Sequence, residues 1–189
     1  MKTLVLFGSA RANGHTKAML DLFLETLGGE VEIIDAYRTE LEIAPCKDCR
    51  FCWHKNGCSI KDGMVSVYEK LEEADNIVLA SPIYFHSISG KLKTIIDRLQ
   101  PYWASCLRKD KPEAFRKTGS ILMVGGAPSF ENQFLGGDLV LKNLLKDMSI
   151  HFTGEVTLPN SDRDSLETRP DIADEIRALA QKVREANGL

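Results

Sequence analysis

Four of the five cysteines of this chain fall within thirteen consecutive residues, as Cys46, Cys49, Cys52 and Cys58 in a C-x2-C-x2-C-x5-C arrangement. Thiolates are soft ligands. Four of them on one short loop can hold an iron–sulfur cluster of the 4Fe–4S kind or a tetrahedral zinc ion. In a reducing compartment the same residues can also remain thiols with redox activity of their own. Cys106 stands apart and is expected to pack as a small apolar residue. Trp53 and His54 are expected to pack the cysteine loop.

Three further segments carry polar or ring-binding character. The first, Gly8-Ser9-Ala10-Arg11-Ala12-Asn13-Gly14-His15-Thr16, combines hydroxyls, small residues and a cation just before a helical pattern. The free N–H groups of a helix start can cradle a phosphate there, or the segment is an ordinary turn capped by Asn13 or Thr16. Its glycines match neither the dinucleotide fingerprint nor the Walker loop. The second, Ser81 to Gly90, holds Pro82, Ile83, Tyr84 and Phe85, which offer flat surfaces for an aromatic ring. The third, Gly125-Gly126-Ala127-Pro128-Ser129, has no bulky side chain and lets a ligand approach the backbone.

The elements that must position these loops are short apolar runs alternating with helical patterns. Thr3–Phe7, Val31–Asp35, Asn76–Ala80, Gly119–Val124 and Ile150–Leu158 read as strands, the first, third and fourth as strands buried on both faces. Helical spacing covers Met19 to Leu27, Gly63 to Glu73, Leu92 to Leu99, Leu135 to Met148 and Ile172 to Ala186. Pro101 is expected to end or bend the third of these. Such alternation predicts one α/β domain over residues 1–189, a three-layer fold with a five-stranded parallel sheet and helices on both faces. Ligands of such sheets bind at the carboxyl ends of the strands, where the strand order reverses. The three loops leave those ends, and the cysteine loop is expected near the same rim.

Gly8-Ser9-x-Arg11-x-x-Gly14-x-Thr16, Ser81-Pro82-Ile83-Tyr84-Phe85 and Gly90-x-Leu92-Lys93-x-x-x-Asp97-Arg98 together resemble the NADPH-dependent FMN reductase family and its iron–sulfur flavoprotein relatives, from Met1 to about Gly126. The resemblance implies a flavodoxin-like fold and bound FMN. Its phosphate would meet Ser9, Arg11, Asn13, Gly14, His15 and Thr16. Pro82, Ile83, Tyr84 and Phe85 would line the isoalloxazine, with Gly125 and Gly126 nearby. It also implies NAD(P)H as electron donor, a small-molecule acceptor such as a quinone, flavin or nitro compound, and a homodimer. The rival reading is an electron carrier in which a cluster at the four cysteines passes single electrons to FMN.

Other classes find little support. A formal net charge of −3 gives no basic field for nucleic acid or anionic membrane. The apolar start, Met1 to Phe7, is too short for a secretory signal, and no stretch approaches a membrane span, so a cytoplasmic location is expected. His86 and His151 are not tied by spacing to an acid or nucleophile, and no G-x-S-x-G elbow occurs. Asp97 and Arg98 could form a structural ion pair at a helix end.

Overall fold

The computed structural model describes residues 1–112 and 117–189. Five parallel strands, β1 (Lys2–Phe7), β2 (Glu30–Asp35), β3 (Asn76–Tyr84), β5 (Lys117–Val124) and β6 (Ile150–Leu158), lie in the order β2-β1-β3-β5-β6, while a two-residue strand β4 (Ser87–Ile88) pairs antiparallel with β3. Helices α1 (His15–Leu27), α3 (Met64–Glu73), α4 (Gly90–Asp97), α5 (Gln100–Arg108), α6 (Leu135–Asp147) and α7 (Pro170–Ala186) surround the sheet, and a single turn, α2 (Phe51–His54), sits in the cysteine loop.

The alternation of the strands divides the core in two. Leu4, Leu6, Ile77, Leu79, Ile121 and Met123 pack on one face against α3, α4 and α6. Val5, Phe7, Val78, Ala80, Leu122 and Val124 pack on the other against α1 and α7. Successive strand residues point to opposite faces, so continuous apolar runs are needed where helices cover both. The amino ends of the strands are laced by buried polar bonds: Asn76 donates to Thr3, Thr118 donates to Asn76, and Asn187 beyond α7 donates to Thr118.

Two expectations change. Pro101 does not simply end a helix: α4 stops at Asp97 and the proline opens α5, where its missing N–H and fixed φ suit the first turn. The segment after Ala80 is not a loop throughout, since β3 continues to Tyr84 and turns back into β4. Pro82 is tolerated because β1 has ended by then. Its last partner on β3 is Ala80, and Pro82 faces only Val124 of β5.

The hairpin tip lies directly on the start of α6. A Cβ on Gly136 would stand 2.1 Å from the His86 carbonyl oxygen, and one on Gly137 would meet Ile83 and Met123. Gly136→Ala should therefore lower stability by about 1–3 kcal/mol through overpacking against backbone, whereas Gly90→Ala, with open space around its Cβ position, should not. Equal urea midpoints for the two variants would contradict this packing.

Candidate functional site

The loop after β1 closes tightly over α4. Gly8 donates its N–H to the Ala80 carbonyl, and a Cβ there would come 2.8 Å from Leu92. Ser9 is buried and its hydroxyl bridges the backbone N–H and carbonyl of Arg11. Helix α1 starts at Gly14 as its N-cap, with no side-chain cap, so neither Asn13 nor Thr16 occupies the orphan N–H groups of its first turn. They are free for an anion. Arg38, just beyond β2, donates to the carbonyls of Ser9 and Ala10 while paired with Asp35 at 2.8 Å. It fixes the loop and adds a second cation beside the exposed Arg11, a role the sequence reading did not assign.

Beside this cup, a cavity of about 220 Å³ is lined by Ile83, Phe85, His86, Gly125, Gly126, Ala127, Phe130 and Gln133. Of the residues expected around a ring, Ile83, Phe85, Gly125 and Gly126 line it, while Pro82 and Tyr84 do not. The glycines are needed for space: a Cβ on Gly125 would meet the Gln133 amide at 2.7 Å, and one on Gly126 the Asp162 carboxylate at 2.9 Å. Gln133 is buried and donates to the Ala127 carbonyl, holding the floor. Phe85 and His86 form the hairpin turn with φ of 52° and 63°, a left-handed pair usually taken by Asn-Gly. Phe85 is fully exposed and His86 stacks edge-on against Phe130. Bulky residues in strained backbone beside a cavity are a mark of function.

The four clustered cysteines do not line that cavity. They share a second concavity of about 30 Å³, together with Arg50, Trp53, Asp97 and Arg98, at the far end of α4. Ser89, the N-cap of α4, adjoins Gly8, and Arg98 follows its last turn. One eight-residue helix, roughly 12 Å long, therefore separates the two sites. Asp48 and Arg50, between the cysteines, both adopt left-handed backbone. The Ser59 hydroxyl, 3.2 Å from the Cys49 sulfur, and then the Phe51 N–H lower the Cys49 thiol below its ordinary value. Burial first, then the charges of Cys46, Cys58 and Cys49, push Cys52 up. The sulfurs feel one another, although among the described residues no three potential ligands already converge as a metal site. Trp53 packs on Trp103 of α5, as expected of a loop-packing residue. Cys106 is exposed on α5, contrary to expectation, because the buried face of that helix is taken by Pro101, Ala104 and Ser105.

Asp97 and Arg98 do not pair with each other. Asp97 binds Lys93 on its own helix, whereas the Arg98 side chain is wholly buried and grips Asp62 through both terminal nitrogens, at 2.7 and 3.0 Å. Arg98 also donates to the Ala44 carbonyl at 2.6 Å and the Ile60 carbonyl at 3.2 Å, on either side of the cysteines. Burial opposes the guanidinium charge, but Asp62 and Cys58 outweigh it and raise the Arg98 pKa. The Tyr68 hydroxyl bonds the Arg98 carbonyl, and burial raises that phenol. A larger cavity, about 620 Å³, opens near the amino ends of β5 and β6. Its Arg108, Lys117 and Glu72 are already committed to backbone carbonyls, Asp110 and Tyr102.

Comparison with known proteins bears on the family and the fold. Residues 1–134 match the NADPH-dependent FMN reductase family. An iron-sulfur flavoprotein of Methanocaldococcus jannaschii is 35% identical over 104 residues, 53% of each chain. One of Archaeoglobus fulgidus is 41% identical over 101 residues, 52% of this chain and 48% of that protein. The chain thus spans about half the length of the curated relatives it matches. Among solved structures, an NAD(P)H:quinone oxidoreductase from Methanothermobacter marburgensis superposes with a TM-score of 0.73 at 16% identity, covering 96% of this chain and 94% of that one. This likeness establishes the flavodoxin-like fold.

The Asp62–Arg98 pair sets an acid limit on the cysteine loop. Burial alone would raise the Asp62 carboxyl, but Arg98 and the N–H groups of Ala44 and Met64 hold it at about 2, below the ordinary 3.8. The stability this confers, about 2 kcal/mol, is complete above pH 4 and lost as pH falls from 4 to 2. Asp62→Asn, weaker at neutral pH, should lose less stability than the wild type across that interval. Parallel acid-unfolding curves would refute the assignment.

Proposed function

This chain belongs to the NADPH-dependent FMN reductase family, and we propose that it binds FMN at the carboxyl edge of its sheet and passes electrons from NAD(P)H to a small-molecule acceptor. A quinone, a free flavin and a nitro compound are the acceptor classes in view. The observation that carries this reading is the uncapped start of α1 beside a glycine-floored cavity, both within the matched residues. Such a helix start takes a phosphate, and the cavity takes part of a ring.

In this reading Ser9, Arg11, Asn13, Gly14, His15 and Thr16 surround the phosphate, with Arg38 behind them. Ile83 and Phe85 flank the isoalloxazine from the cavity wall, Pro82 and Tyr84 are their chain neighbours in β3, and Gly125 and Gly126 bring backbone beneath the ring. Bound FMN supplies the hydride-accepting chemistry, so the protein needs no acid–base pair of its own. The chain's task is to orient the ring and exclude water, for which Phe85, His86 and Phe130 form an aromatic rim. Electron donor and acceptor would use one cavity in turn, giving ping-pong kinetics.

Phe85, Phe130, Leu135 and Leu139 are large apolar side chains exposed around and beyond that rim. A second copy of the chain is the partner assigned to them, completing the pocket in a homodimer. No helix among the described residues is long and apolar enough to cross a membrane. A cytoplasmic setting, in which the five thiols stay reduced, suits the reading.

One observation favours a second reading. Four sulfurs share one concavity, and the Cys49 sulfur lies 3.2 Å from the Ser59 hydroxyl. These residues have the donor chemistry of a 4Fe–4S site, and Cys46, Cys49, Cys52 and Cys58 would hold the cluster in an electron carrier.

Anaerobically purified protein separates the two. Flavin absorption that bleaches rapidly with NADPH or NADH, in protein free of iron, establishes the reductase. Iron, acid-labile sulfide and slow bleaching establish the carrier. In both, Arg11→Ala should weaken FMN binding by about 1–3 kcal/mol; unchanged affinity would remove Arg11 from the phosphate site.

A further inference from the structure

A guanidinium carries five N–H donors, and one buried out of reach of water must place them all. The side chain of Arg98 has no exposed surface. Its two terminal nitrogens are accounted for by the Ala44 and Ile60 carbonyls and by both carboxylate oxygens of Asp62. Its Nε is not: that atom is buried and has no partner. Cys58 lies near enough to this guanidinium to favour its charge, as Asp62 does, and both Arg98 and Cys58 line the concavity of the four cysteines. A neutral thiol is a weak acceptor, whereas a sulfur carrying negative charge, as every cluster-bound thiolate does, is a strong one. A Cys58 sulfur that serves as a ligand supplies the acceptor that the leftover donor lacks.

We propose that Arg98 is the positioning residue of the four-cysteine site: its terminal nitrogens tie together the two ends of the cysteine loop, and its Nε–H donates to the Cys58 sulfur of a bound cluster. The proposal rests on the second reading above, in which the cysteines hold a 4Fe–4S cluster. Arg50 lines the same concavity but differs in kind. It is exposed, its guanidinium lies 4.8 Å above the Trp53 ring, and its carboxylate neighbour is Asp48. Of the two arginines that line the concavity, Arg98 clamps the loop and Arg50 lies on its surface, while Arg108 of α5 bonds the Cys52 carbonyl from outside it.

The test uses full-length protein labelled with 15N-arginine, reconstituted anaerobically with ferrous iron and sulfide, as wild type, Arg98→Lys and Arg50→Lys. Pulsed EPR of the reduced cluster should detect coupling to one arginine nitrogen in the wild type. The coupling should persist in Arg50→Lys and vanish in Arg98→Lys. A chelator should strip iron from Arg98→Lys at least about tenfold faster than from the other two, as loss of an outer-shell partner does, with FMN affinity unchanged. A cluster without arginine coupling, or coupling lost in Arg50→Lys instead, overturns the role of Arg98 and leaves the cluster standing. A wild type that takes up no cluster overturns both. Should Arg98→Lys not fold, coupling in the wild type and Arg50→Lys decides alone.

Discussion

All five main strands run in the same direction, and most of what this protein can do follows from that constraint. Parallel strands require crossover helices, so every carboxyl end emerges at one edge and every amino end at the other. The amino edge is sealed by Thr3, Asn76, Thr118 and Asn187, whose side chains satisfy one another. The carboxyl edge carries the loops whose polar groups remain available. Because β2 and β3 flank β1 on opposite sides, the chain leaving β1 and the chain leaving β3 turn to different faces, and a crevice opens between them. The hairpin after β3 and the glycines after β5 line a cavity at this edge.

Close approach is the second requirement. Gly8 against Leu92, Gly125 against Gln133 and Gly136 against the His86 carbonyl each leave no room for a Cβ. These contacts hold the loop after β1, the cavity floor and the hairpin in fixed relation. Helix α4 then links this edge to the cysteine concavity. Its N-cap Ser89 receives support from Ser81 at one end, and Arg98 follows the other. A buried ion pair is weak evidence for net stability; here Arg98–Asp62 makes an otherwise irregular loop adopt one arrangement.

Much of this was legible in the sequence because the signals were local. Continuous apolar runs such as Leu4–Phe7 and Ile77–Ala80 identify strands buried on both faces, and the strand–helix alternation leads to the parallel sheet. The polar loop after β1 and the small-residue segment after β5 were recognisable from donor density and from residue size. The hairpin was not, because Phe85-His86 carries none of the Asn-Gly chemistry that marks a two-residue turn. Helix α5 was missed because Pro101 reads equally well as a stop or as a first turn. Arg98 and Asp62 lie 36 residues apart, and Arg38 reaches back 29 residues to Ser9, so nothing in spacing could pair them. That the cysteines line a concavity separate from the glycine-floored cavity was illegible for the same reason: the position of a long irregular loop is decided by the side chains that anchor it.

The central claim is that the uncapped start of α1 holds the phosphate of a flavin mononucleotide. Equilibrium titration of the apoprotein with FMN and with riboflavin, which lacks that phosphate, addresses it most directly. The account predicts that FMN binds at least about a hundredfold more tightly, a difference of about 2.7 kcal/mol, and that added inorganic phosphate competes. Equal affinities for the two flavins would contradict it.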